Sequence, residues 1–235
     1  MPTLMPRRYQ SRIGLLQSTP PPELPSTADE TEDVMGYPRP QLRRAEWRSL
    51  NGTWDFTIES ETFASSPREV TFRSSIEVPF SPETPRSGVA DTGLYRTCWY
   101  RKRFAAPELG PGQRLLVHFG AVDYQAVVWL NGARLGEHEG GYAPFWFDIT
   151  DFLDAGQELQ TLVVRADDDP TDLEKPRGKQ DWQLEPHSIW YPRTTGIWQT
   201  VWLERVPEMR VGQLVWTSNV ERWEIGLDAS VIAPL

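Results

Sequence analysis

The sequence is a succession of short alternating segments separated by turn signals, and no other feature limits its fold as tightly. Between 122 and 130, Val122, Tyr124, Ala126, Val128 and Leu130 alternate with Asp123, Gln125, Val127 and Trp129. That two-residue period belongs to a strand with a buried face. Asn131-Gly132 follows, a pair that accepts positive φ at both positions and closes a two-residue hairpin. Trp54, Phe56 and Ile58, alternating with polar residues after the turn signal Asn51-Gly52, repeat the pattern. Further strands are expected at 70–78, 97–104, 114–119, 144–149, 159–166, 197–204 and 213–216. Only short helical turns fit between them, as at 151–153 or 43–49. Many short strands at near-regular spacing predict an all-β fold, a β-sandwich or jelly roll. There is no βαβ alternation, and a complete (β/α)8 barrel, which needs about 250 residues, does not fit.

Charge and residue usage exclude several functions. Lys and Arg number 24 against 33 Asp and Glu, a formal charge of −9. Such a chain is poorly suited to gripping a phosphate backbone, so no nucleic-acid partner is expected. No run of about 18 apolar residues is present to span a membrane as a helix. The single cysteine, Cys98, rules out an internal disulfide and a cysteine zinc cage. It reads as a small buried hydrophobe between Thr97 and Trp99. His118, His138 and His187 are scattered, and His138-Glu139 lacks the second histidine of a zinc helix. Neither a metal nor a cofactor is expected. No glycine-rich phosphate loop occurs, and Ser188 beside His187 lacks a nucleophile elbow. Asp167, Asp168 and Asp169 read as solvated loop charge.

The chain divides by texture. Residues 1–36 are proline-rich and then acidic, and read as a disordered leader. Arg7, Arg8 and Arg12 precede Ile13, Leu15 and Leu16, but Pro20, Pro21 and Pro22 cut that apolar stretch short of a signal peptide. With no disulfide possible, cytoplasmic residence is the expectation. Residues 37–205 hold the strand pattern. One long connection interrupts it, from Asp167 to Pro192, and long loops in compact domains are commonly functional. In and beside it stand Lys175, Arg177, Lys179, Gln180, Trp182, His187, Trp190, Tyr191 and Arg193. Polar groups among aromatic faces suit a neutral polyhydroxylated ligand. The alternative reading makes Trp182 and Trp190 packing anchors.

Several segments together resemble one family. They are Arg39-Pro40, Ser49-Leu-Asn-Gly-Thr-Trp-Asp-Phe56, Thr92-Gly-Leu-Tyr-Arg96 leading into Trp99-Tyr-Arg-Lys-Arg-Phe104, and Phe119-Gly-Ala-Val-Asp-Tyr124. Val128-Trp-Leu-Asn-Gly132, Gly136–Phe145 running into Phe147-Asp-Ile-Thr150, and Thr195-Gly-Ile-Trp-Gln-Thr-Val-Trp-Leu-Glu204 complete the set. In this order and spacing they resemble the N-terminal sugar-binding domain of glycoside hydrolase family 2, the family of β-galactosidases, β-glucuronidases and β-mannosidases.

The resemblance implies a galactose-binding-domain-like jelly roll over 37–205, followed by an immunoglobulin-like domain and a TIM barrel with two catalytic glutamates, the acid/base within Asn-Glu. No Asn-Glu dipeptide occurs here. The expectation is therefore a fragment with no catalytic residue, whose residues 206–235 are the opening strands of an incomplete second sandwich. The resemblance also implies that the segment before Thr195 touches a sugar in the barrel's first subsite. Ser188 stands where β-galactosidases and β-glucuronidases often place an aspartate, which puts galactose or glucuronate specificity in doubt. Lys179, Gln180, Trp182, His187, Trp190, Tyr191 and Arg193 are the candidate contacts. Glu83 and Asp91, in the loop before Thr92-Gly93, are implied as a second set. The resulting expectation is a non-catalytic domain that takes a β-glycoside together with its barrel and immunoglobulin-like partners. Two alternatives remain: a free-standing carbohydrate-binding module, or a protein-interaction β-sandwich. The bare apolar residues near the C-terminus, Trp216, Trp223, Ile225 and Leu227, are expected to promote self-association.

Overall fold

The computed structural model describes residues 7–10, 36–59 and 64–234. They fall into two units. The larger comprises Glu46–Gly110 with Arg114–Arg205; the smaller takes in the described residues up to Ala45, Pro111–Gln113 and residues from Val206 onward. Strand β1 is Arg7–Gln10 and β2 is Trp47–Ser49. Next come β3 (Gly52–Glu59), β4 (Ser74–Val78), β5 (Thr97–Phe104) and β6 (Gln113–Phe119). They are followed by β7 (Val122–Asp123), β8 (Gln125–Leu130), β9 (Ala133–Glu139), β10 (Phe145–Asp148) and β11 (Gln160–Asp167). The last are β12 (Gly196–Ile197), β13 (Val201–Pro207), β14 (Arg210–Asn219) and β15 (Glu224–Ile232).

The larger unit is a jelly-roll β-sandwich. One sheet has the order β4-β3-β5-β11-β8-β9, the other β10-β6-β13-β2, and β12-β7 form a short separate ribbon. All named pairings are antiparallel. The core lies between the two main sheets. Trp54, Phe56, Cys98, Tyr100, Val128 and Val164 come from one side and Val117, Phe119, Phe145, Val201 and Leu203 from the other. Cys98 is fully buried, as a small hydrophobe should be. The Trp54 indole is also buried, and its N–H is satisfied by the Leu50 carbonyl at 2.8 Å.

The six-stranded sheet also buries part of its other face. Trp99, Val127, Trp129 and Val163 point there and meet Ala64, Val70 and Phe72. This explains why alternation in β5 and β8 is apolar on both phases. It also corrects the strand expected at 70–78. Only 74–78 pairs with β3, because Val70 and Phe72 serve as a cover over Trp99 and Trp129.

Other expectations change, and the strand expected at 197–204 divides into β12 and β13. The strand expected at 122–130 is split, because β7 leaves the main sheet to pair with β12 while β8 stays beside β11. The helical turn expected at 43–49 gives way to β2, which pairs with β13 from Glu204 to Trp202. Strand β9 is unforeseen, hidden by its glycine. Gly136 sits so close to Phe147 that a Cβ there would lie 2.6 Å from the ring. The hairpin at Asn131-Gly132 is as expected, with φ of 52° and 82°. Its asparagine side chain accepts from the Thr161 amide and donates to the Phe152 carbonyl.

The smaller unit contains a three-stranded sheet in the order β1-β15-β14. Arg7–Gln10 is thus strand, while residues 1–6 and 11–35 of the expected leader lie outside the described residues.

Candidate functional site

The connection between β11 and β12 is long, yet it is held by buried polar ties. The first is an ion cluster at its two ends. Asp168 follows β11, and its carboxylate accepts from Lys175 through Oδ1 and from Arg193 through Oδ2, at 2.9 Å from Nε. Arg193 also donates to the Tyr95 carbonyl at 2.5 Å, and Lys175 to the Asp169 carbonyl at 2.6 Å. All three side chains are nearly sealed from solvent. Two cations around one carboxylate leave a net positive charge, which the Tyr95 and Asp169 carbonyls help to solvate. The reading of Asp168 as solvated charge is therefore corrected. Its cations stand 7 and 25 residues away, a separation with no local sequence signature.

The second tie is Gln180. Its amide N–H group donates to Asp123 Oδ2 at 2.7 Å and to the Tyr142 hydroxyl at 3.2 Å, and its oxygen accepts from the Thr194 amide at 2.8 Å. Burial pushes the Asp123 carboxyl up to about 6, against the Gln180 hydrogen bond. Gly141 packs on that carboxylate so closely that a Cβ would overlap it. Glu83 is buried as well. It accepts from the Tyr95 hydroxyl at 2.8 Å and the Thr195 amide at 3.2 Å, and burial raises its pKa.

The third tie is Asp181, which is 1% exposed. Its Oδ1 accepts from the Gln183 amide at 3.0 Å; its Oδ2 accepts from the His187 amide at 2.7 Å and lies 2.7 Å from His187 Nδ1. Burial raises this carboxyl's pKa, but the bonds from His187 and Gln183 outweigh it and hold the group below the usual carboxylate range. A parallel bridge, Asp181 N to Tyr191 O and Tyr191 N to Lys179 O, both 2.8 Å, draws the arms of this sub-loop together.

These ties present an aromatic cluster. Trp182 and His187 meet edge-to-face at 5.4 Å, and Trp182 and Trp190 lie 5.5 Å apart at 60°. The His187 side chain is 42% exposed and Trp182 is 41% exposed. Tyr191 and Lys179 are exposed beside them. Ser188 turns the chain between His187 and Trp190 with φ of 55°. The ten candidate residues thus separate. Trp182, His187, Trp190, Tyr191, Lys179 and Ser188 share one exposed sub-loop. Gln180, Arg193 and Glu83 face inward, and their polar atoms serve the scaffold. Asp91 is exposed and accepts from the Gly93 amide at 2.8 Å.

Nearby, an open groove of about 360 Å³ is lined by Arg96, Tyr124, Glu139, Asp172, Glu174 and Lys175, among others. Among the described residues no group of three His, Cys, Asp or Glu is placed to hold a metal. The residues that sequence reasoning did not single out are Asp123, Asp181 and Tyr95. They are partners of the candidates, Asp123 and Asp181 buried and Tyr95 half-buried, and each is joined to them by the fold.

The larger unit is a jelly-roll β-sandwich that carries an exposed aromatic loop, and comparison with known proteins gives the family. The model of the glycosyl hydrolases family 2 sugar-binding domain matches residues 70–207. The chain belongs to glycoside hydrolase family 2, through its sugar-binding domain. It is 37% identical over 106 residues to a β-galactosidase of Thermoanaerobacter pseudethanolicus, a match covering 45% of this chain and 13% of that one. It is 32% identical over 193 residues to a β-galactosidase of Bacteroides ovatus, covering 80% and 19%. The chain therefore spans less than a fifth of the length of these relatives. A β-glucuronidase structure from Bacteroides uniformis superposes with a TM-score of 0.53 at 25% identity, over 71% of this chain and 18% of that one. One from Bifidobacterium dentium, at 23% identity, shares the fold with a TM-score of 0.59, over 75% and 33%.

Proposed function

We propose that this chain acts as the non-catalytic sugar-binding domain of a β-glycosidase. Its 168–192 loop forms part of the wall of a substrate pocket whose catalytic carboxylates stand on a TIM-barrel domain. The observation that carries this is the sub-loop of Trp182, His187 and Trp190, exposed yet anchored by the buried Asp181. Indole faces take the C–H faces of a pyranose, and a fixed polar group takes a hydroxyl. Holding a sugar in register with groups supplied by another domain is a contribution of position. The relatives named β-galactosidase, several times longer than this chain, support the same reading.

The test is calorimetric titration of this chain with galactose, glucuronate, mannose and glucose at millimolar concentration, alongside a nitrophenyl-glycoside hydrolysis assay. A wall without its barrel gives neither heat nor turnover. Strong binding without turnover would replace this reading with the free-standing module, and turnover would overthrow it. The chain also self-associates, on this reading, through the β14–β15 hairpin, where Trp216, Val220, Trp223 and Ile225 are exposed.

A further inference from the structure

We propose that Asp181 is a positioning residue. It locks the His187 ring with the proton on Nδ1, so that Nε2 is offered beside the Trp182 and Trp190 indoles as an acceptor for a hydroxyl of a neutral pyranoside. The inference rests on the sugar-wall reading above and extends it to substrate class.

The geometry carries the argument. Asp181 Oδ2 lies 2.7 Å from Nδ1 and the same oxygen accepts the His187 amide, so backbone and ring are gripped at one point. A carboxylate in this position can only accept, so Nδ1 must donate. In the neutral imidazole the other nitrogen then carries a lone pair. Nε2 has no protein partner among the described residues, and the ring is 42% exposed. Trp182 meets the ring edge-on, which fixes its rotation. The polar atom displayed is thus an acceptor flanked by apolar faces. A sugar hydroxyl can donate to it, whereas a uronate carboxylate would set lone pairs against a lone pair. Where the C6 group of the sugar faces Nε2, this contact therefore favours neutral glycosides over uronides.

The test uses the whole chain with 15N-labelled histidine at about pH 8. The 15N shifts of the His187 ring are expected to show a protonated Nδ1 and a pyridine-like Nε2, and Asp181→Asn to abolish that single form. Saturation-transfer NMR with methyl β-galactoside and methyl β-glucuronide at tens of millimolar then reads contacts too weak for calorimetry. The galactoside is expected to receive saturation and the glucuronide several-fold less. Asp181→Asn is expected to cut the galactoside signal about fivefold, the size of one ordinary hydrogen bond. A ring protonated on Nε2 in the unaltered chain overturns the positioning role even if sugar binds. A locked ring with no transfer to either glycoside overturns the assignment of Nε2 as a sugar acceptor, whereas turnover or strong binding by the chain alone would overturn the sugar-wall reading itself. Equal transfer to both glycosides overturns the selectivity.

Discussion

Two tryptophan pairs in the larger unit have nearly the same spacing and opposite roles. Trp99 and Trp129 stack at 5.4 Å on one face of the six-stranded sheet, while Trp182 and Trp190 lie 5.5 Å apart on the long loop. The first pair is roofed by Val70 and Phe72 and is 0% and 5% exposed. In the second, Trp182 is 41% exposed. Apolar burial holds the strand pair; polar ties to Asp168, Asp123 and Asp181 hold the loop around the other. An aromatic surface can thus be held in place without being hidden, where buried charges and amides replace the missing hydrophobic cover.

The comparison can be broken from its strongest side first. Trp99→Ala removes a fully buried indole and is expected to destabilise the domain by about 3–5 kcal/mol, read as a lower urea midpoint. Asp168→Asn strands Lys175 and Arg193 as buried cations. It is expected to cost about 3 kcal/mol and to speed amide exchange across 168–193 more than in the sheets. Equal acceleration everywhere would show that the ion cluster supports the sandwich rather than the loop.

Asp123 sharpens the contrast through pH. Its folded pKa, about 6, stands above that of an unfolded aspartate because burial penalises its charge. The folded state therefore binds the proton more tightly. The stability that this group contributes is greatest below about pH 4 and is lost as pH rises through 6. Glu83, raised by burial, acts with the same sign. Asp123→Asn keeps an oxygen for Gln180 and is expected to raise stability at pH 7 by about 2 kcal/mol and flatten that part of the pH profile. Thermal melts between pH 4 and pH 8 measure both.

Trp182→Ala is expected to change stability by under about 1 kcal/mol, in contrast to Trp99→Ala, while removing saturation transfer to the galactoside. A large loss of stability would make Trp182 a packing anchor and align the two pairs. The smallest effect is expected at the hairpin. Trp223→Ser should leave the melting temperature unchanged and shift sedimentation at high concentration toward monomer.

The fold was legible where a physical period was local. Alternation in Gly52–Glu59, Thr97–Phe104 and Gln160–Asp167 follows from the geometry of a pleated strand, and Asn131-Gly132 from the sterics of positive φ. It was not legible where a segment covers another, as Val70 and Phe72 do, or where Gly136 marks a close approach rather than a break. The candidate loop was visible as a long stretch of aromatic and polar residues. Which of them faces outward was not, because Arg193 and Lys179 are chemically similar and differ here only in the presence of a buried Asp168.

Local conformation and family membership were already written in the residues, because strand period and turn chemistry act over a few positions. It took the folded chain to put Asp123, Asp168 and Asp181 inside, to set Gln180 on Asp123 and Arg193 on Asp168, and to leave Trp182 and His187 outside. Those assignments depend on removing particular charges from water, and partners 6 to 57 residues apart meet only once the chain has folded.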